Sequence, residues 1–165
     1  MSVAFTREED LESQAADLPD RPISPHPNLV TASGLAAIEQ ALAEAREAYA
    51  TARAAGDIST DRTPMARATR DLRYWSARRA TAQLSEPEPL AGQVQFGRTV
   101  EVERDDGRRQ TFRIVGEDEA DPAHARINWR APLAEAILGA EVGETVTWED
   151  RHPPEEIEIV AIEKI

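Results

Sequence analysis

The sequence predicts an α+β chain: an antiparallel α-helical hairpin with a coiled-coil seam, followed by a small α+β domain. Two observations predict it. Apolar residues recur at heptad spacing through residues 31–85, and hydrophobicity then alternates with a period of two through much of residues 94–165. A proline- and glycine-containing stretch separates the two patterns and marks the boundary.

Residues 1–30 read as a Pro-rich extension. Asp17 to Asn28 contains Pro19, Pro22, Pro25 and Pro27. Proline fixes φ and drives its predecessor to extended backbone, so an extended or loosely docked segment is expected. Thr6 and Glu9 have capping-box spacing, which suggests a short helix over 6–17.

Residues 31–85 read as the hairpin. Leu35, Ile38, Leu42, Ala45, Tyr49 and Ala52 follow one another at intervals of three and four, an a/d seam. Thr31 or Ser33 serves as its cap, and Gly56 is the stop. A second helix is expected from Thr63 to Leu84, with Pro64 in its first turn. Its seam is Met65, Ala68, Leu72, Trp75 and Ala82, with Arg79 an awkward member. The short polar connection between two seam-bearing helices implies an antiparallel pair. The same pattern would serve an amphipathic pair packed on the rest of the chain. The narrow, Ala-rich seam fits two helices packed on each other better.

Residues 86–93 read as a linker, and 94–165 as the second domain. Thr99 to Glu103 alternates, Asp105-Asp106-Gly107 turns, and Gln110 to Val115 alternates again, which predicts a β-hairpin. Pro132 opens a short helix that Gly139 stops. Strands are expected at Thr145–Trp148 and Ile157–Ile162, giving four or five strands around one helix.

Charge limits the partners. The net charge is −12, with a mean hydropathy of −0.53. It is uneven: residues 31–85 carry a net +2 and residues 86–165 a net −10. Free nucleic acid should repel the chain as a whole. The second helix is the exception, with Arg62, Arg67, Arg70, Arg73, Arg78 and Arg79 against Asp71 alone, a one-signed face suited to an acidic or phosphate-rich surface. A merely solvated arginine face would look the same. No cysteine is present, which excludes disulfides, thiolate catalysis and cysteine zinc sites and fits a reducing cytoplasm. No membrane-spanning run or signal peptide is read. His26, His124 and His152 lack the spacing of a metal site, and no phosphate loop, nucleophile elbow or dinucleotide fingerprint occurs.

The segments 96–100, 112–121, 127–139 and 142–144 together resemble the C-terminal domain of bacterial Gre-type transcription factors. They include Phe96-Gly97-Arg98-Thr99-Val100, the run from Phe112-Arg113-Ile114-Val115-Gly116 to Asp121, Ala131-Pro132-Leu133-Ala134 with Ile137-Leu138-Gly139, and Val142-Gly143-Glu144. The order is kept across nearly all of 94–165, and the hairpin falls where that family has its coiled coil. The resemblance implies an FKBP-like second domain. It also implies a non-enzymatic, monomeric, cytoplasmic factor that binds bacterial RNA polymerase and contacts the nascent RNA 3′ end indirectly. Such a factor inserts its hairpin into the secondary channel, and the polymerase cleaves backtracked RNA. No cofactor of its own is implied, only a Mg²⁺ shared with polymerase and held in the complex by two acids at the hairpin tip.

Carried onto Gly56-Asp57-Ile58-Ser59-Thr60-Asp61, the family tip gives Asp57 as the first acid. Thr60 stands where the second belongs, and Asp61 follows one position later. Asp57 and Asp61 are thus the candidate catalytic and metal-holding residues, acting for the polymerase. A turn role for Asp57 and a capping role for Asp61 are the alternatives. Arg62, Arg67, Arg70, Pro132 and Leu133 are the candidate partner-binding residues. Two other functions stay open: a channel binder that regulates transcription without cleavage, motivated by Thr60, and a prolyl isomerase or chaperone built on the FKBP-like domain. The isomerase would need an aromatic-lined pocket from Phe96, Phe112, Trp129 and Trp148.

Overall fold

The computed structural model describes residues 18–56 and 61–164. The chain divides into two compact units. One comprises residues up to Pro27 together with Ala36–Ala82, and the other Asn28–Leu35 together with Gln83–Ile165.

In the first unit, α1 (Ala32–Ala55, most of it in this unit) packs against α2 (Thr63–Thr81). The seam is the expected one: Ile38, Leu42 and Ala45 on α1 and Ala68 on α2 are buried. The pair is antiparallel, because Glu39 near the start of α1 receives a hydrogen bond from Arg79 Nε near the end of α2 at 2.9 Å. Two details differ from the sequence reading. Arg78, not Arg79, is the buried arginine, at 2% exposure. The helix also ends at Thr81, three residues before Leu84, because Gln83 and Leu84 leave it to pair as a strand.

Leu18 to Pro27 run without helix beside α2. The Arg21 guanidinium lies 3.8 Å from the centre of the Tyr74 ring and 5.3 Å from that of Trp75. Arg21 also sits 3.7 Å from the Asp71 carboxylate, and Arg73 Nη1 donates to Asp20 at 3.2 Å. This part of the extension is therefore docked by cation–π and charge contacts. The helix expected over 6–17 lies outside the described residues.

In the second unit, five strands lie in the order β5-β4-β3-β7-β6: β3 (Thr99–Arg104), β4 (Arg109–Val115), β5 (Arg126–Asn128), β6 (Thr145–Trp148) and β7 (Glu155–Ile162). Neighbours are antiparallel except β4 and β5. Gly107, at φ 82°, closes the β3–β4 turn, a left-handed conformation that glycine reaches without strain. The helix α3 (Pro132–Ile137) contributes Ala134 and Ile137 to a core with Val100, Val102, Ile114, Ile157 and Ile159. The observed class is α+β, as the two periodicities predicted.

A two-stranded parallel ladder joins β1 (Leu29–Val30) to β2 (Gln83–Leu84). Sequence reading placed these residues in the extension and at the helix end, because strands of two residues carry no periodic signal. Gly116 explains how closely β1 packs: a Cβ there would meet the Leu29 carbonyl oxygen inside any normal contact distance, so no side chain fits.

Strand β3 buries Val100, Val102 and then Arg104 on one face. Arg104 is tolerated there because Nε and Nη2 form a two-point bridge to Glu155 at 2.6 Å each, and Nη1 donates to Gln110 at 2.7 Å. The Arg104 guanidinium holds the Glu155 carboxyl below the usual carboxylate range, and Glu155 raises Arg104 in return. A carboxyl depressed in the folded state stabilises the fold fully above its unfolded pKa, and this is lost as pH falls through the folded value. Thermal melting from about pH 6 to about pH 3 should therefore show a steeper loss in the native chain than in Glu155→Gln. Equal slopes would contradict that role.

Candidate functional site

The hairpin turn follows from its flanks. The stop at Gly56 lets its N–H return to the Arg53 carbonyl at 3.3 Å, and α2 begins with Arg62 as its N-cap and Pro64 in its first turn. Proline there fixes helical φ where no amide hydrogen bond is required. Asp57 lies between these flanks, outside the described residues.

Asp61 turns back toward α2. Its Oδ1 accepts the Thr63 backbone N–H at 2.9 Å, while Arg62 offers no side-chain cap. Hydrogen bonds from the Thr63 backbone N–H and then the Thr63 side chain hold the Asp61 carboxyl below the usual carboxylate range. The carboxylate is ionised at neutral pH but committed to the helix start. That bond takes up one acceptor site of the carboxylate, whose oxygens offer about four in all. Among the described residues no cluster of three or more His, Cys, Asp or Glu side chains is arranged for a metal. Asp61→Ala is expected to fray the start of α2 and lower the thermal midpoint slightly. Asp61→Asn, whose amide oxygen can still accept, should stay near the native value. Helical circular dichroism during melting checks this, and a melt unchanged in Asp61→Ala would contradict the capping role.

The arginine face is less uniform than the sequence implied. Arg62 and Arg67 are exposed, whereas Arg70 is half-buried with Nε 3.6 Å from Asp71. Arg73 and Arg79 are drawn to Asp20 and Glu39, and Arg78 is buried. Exposed positive charge beside the turn is therefore carried by Arg62 and Arg67, the latter close enough to Asp61 to help lower its carboxyl. A groove of about 460 Å³ lies beside the turn, with Leu18, Ala55, Arg62, Met65, Thr69 and Arg70 among its lining residues.

Pro132 and Leu133 open α3 in the second unit. Pro132 is exposed, and Leu133 is half-buried against the core. Phe96 and Phe112 are themselves buried in the core, while Trp129 and Trp148 are partly buried against it.

One polar constellation escaped the sequence reading. Thr31 Oγ1 accepts the Gly34 N–H at 3.0 Å, capping α1, and donates to Glu119 Oε2 at 2.5 Å. Ser33 Oγ donates to Glu119 Oε1 at 2.6 Å. A residue 86 positions beyond Ser33 thus fixes the entry of α1, and negative charge suits that helix end. Thr31 and Ser33 were legible as caps; Glu119, in a loop, carried no spacing signal toward them.

Comparison with known proteins bears on both units. Residues 88–164 match the family model for the C-terminal part of transcription elongation factor GreA/GreB. Transcription elongation factor GreB of Neisseria meningitidis serogroup B is 39% identical over 112 residues, 67% of this chain and 69% of that protein. Transcription elongation factor GreA of Desulfovibrio desulfuricans is 39% identical over 115 residues, 68% and 70% of the respective chains. The crystal structure of GreA factor homolog 1 (Gfh1) of Thermus thermophilus aligns with a TM-score of 0.39 at 21% identity, covering 84% of this chain and 99% of that one.

Proposed function

Because this chain belongs to the GreA/GreB family of transcription elongation factors, we propose that it binds bacterial RNA polymerase and inserts its hairpin into the secondary channel. There it promotes cleavage of backtracked RNA by the polymerase. The observation that carries the reading is the antiparallel helix pair, between whose arms the sequence places Gly56 and Asp57. In this reading the chain is no enzyme on its own. The polymerase holds the reacting RNA, and the tip supplies a carboxylate beside it. Asp57 and Asp61 are the acids that would share the polymerase Mg²⁺, with Asp57 the principal one because Asp61 Oδ1 also caps the start of α2. Arg62 and Arg67, exposed beside the turn, face the acidic lining expected of a channel that admits metal ions and is threaded by RNA. Pro132 and Leu133 form a separate contact from the second unit.

Purified chain added to stalled elongation complexes should accelerate shortening of the RNA from its 3′ end. No acceleration, despite demonstrated binding to polymerase, would sink the cleavage reading. A second reading is then the alternative: a channel binder that regulates transcription without cleavage. The Asp61 hydrogen bond to Thr63 and the threonine at position 60 favour it. It expects binding that is indifferent to Asp57→Ala.

A further inference from the structure

We propose that Asp106, in the turn between β3 and β4, is a latent site of spontaneous isomerisation to isoaspartate, kept closed in the folded chain by Arg104 and Arg108. Asp106-Gly107 is the one Asp-Gly pair in the sequence, and no Asn-Gly pair occurs. Glycine has no Cβ to shield its amide nitrogen from the preceding carboxyl, so this pair is the most reactive of its kind in the chain. Both residues are exposed. The turn cannot easily shed the glycine. A Cβ there would meet nothing within 4 Å, so room is not the constraint, but φ is 82°.

The step itself needs only water. The Gly107 nitrogen bonds to Asp106 Cγ, and its proton leaves with the carboxyl hydroxyl as water. The cyclic imide then takes water back. Opening at the Cγ–N bond restores aspartate. Opening at the original peptide carbonyl routes the main chain through Cβ and Cγ and adds one backbone atom. Three contacts oppose the first bond. The Gly107 N–H donates to the Arg104 carbonyl at 2.9 Å. Asp106 Oδ1 accepts the Arg108 backbone N–H at 3.0 Å, and Oδ2 accepts Arg108 Nε at 2.6 Å. The nitrogen and the carboxyl that must meet are each engaged elsewhere. The Arg108 backbone N–H, and then its side chain, also hold the Asp106 carboxyl below the usual carboxylate range. An ionised carboxylate has no hydroxyl to lose, so this adds to the protection. The position matters for the fold. β3 is the middle strand of five, and the turn brings the Arg104 N–H to the Arg108 carbonyl at 2.8 Å just beyond the Glu103–Arg109 pair. An extra backbone atom at 106 would disturb that closure.

The full chain, incubated at neutral pH and physiological temperature, tests this. Isoaspartate is read by enzymatic carboxyl methylation, and fragmentation mass spectrometry assigns its position. The native chain in denaturant should accumulate it at Asp106 many times faster than the folded chain. Arg108→Ala keeps the main-chain bonds and frees Asp106 Oδ2. It should raise the folded-state rate roughly two- to fivefold, the range open to an exposed ion pair. Arg109→Ala breaks the neighbouring pairs to Glu101 and Glu103 without touching Asp106, and should leave the rate unchanged. Equal rates in folded and denatured chain, or in native chain and Arg108→Ala, would overturn the proposal. So would an equal rise in Arg109→Ala, which would mean general loosening of the turn. The readout does not involve polymerase, so its failure is separate from failure of the transcription reading.

Discussion

Replacing Asp57 with alanine is expected to slow RNA shortening in stalled elongation complexes on the order of a hundredfold, about 2.7 kcal/mol of lost transition-state stabilisation, with polymerase affinity nearly unchanged. The size of the effect follows from how few acids the turn offers. Threonine occupies position 60, and Asp61 Oδ1 is engaged by the Thr63 amide at the start of α2. On the proposed reading Asp57 then carries most of a role that two acids share. On that reading its removal takes a hard oxygen ligand from the reacting centre and leaves the helix pair intact. Affinity should survive because the exposed Arg62 and Arg67 and the length of both arms are untouched. Single-turnover cleavage with polymerase saturated by the factor separates rate from binding. An unchanged rate for Asp57→Ala would move the assignment to the non-cleaving channel binder.

Truncating Ile114 to alanine is expected to cost the second unit about 3–4 kcal/mol. Ile114 is fully buried on β4, next to β3 in the sheet order, in the cluster with Val100, Val102, Ile157 and Ile159. A leucine-sized void there removes transfer free energy and leaves contacts unfilled, and a strand held in a ladder collapses poorly into the gap. Denaturant unfolding followed by the fluorescence of Trp129 and Trp148, which pack against this core, reads the loss. A shift below about 1 kcal/mol would mean that the site repacks, contrary to the close-packed core described above.

Much of the fold was legible because it is periodic. The heptad seam from Leu35 to Ala52 and the alternation in β3 and β4 each extend over enough residues to identify an element. Gly56, Pro64, Gly107 and Gly139 marked where elements stop, turn or start through their backbone preferences. The two-residue strands β1 and β2 were not legible, since nothing periodic fits in two positions; their pairing also shortened α2 to Thr81. The arginine face was legible as composition but not as charge, because its neutralisers Asp20 and Glu39 come from distant parts of the sequence. Arg104 broke the apolar alternation of β3 without leaving the core, since Glu155 lies 51 residues away. At the turn, the residue types raised the question of Asp61, and only the fold brings its carboxylate onto the Thr63 amide. Long-range polar pairing is what sequence periodicity does not encode.

On the proposed reading the hairpin turn reaches the polymerase active site. A photo-crosslinker on a single cysteine introduced at Ile58 tests it, since the chain carries no other thiol. In a backtracked elongation complex the label should cross-link to the 3′-terminal segment of the RNA and to polymerase around its catalytic centre, and excess unlabelled chain should suppress both products. Cross-links confined to the outer surface of the polymerase, with none to the RNA, would contradict insertion of the hairpin into the channel.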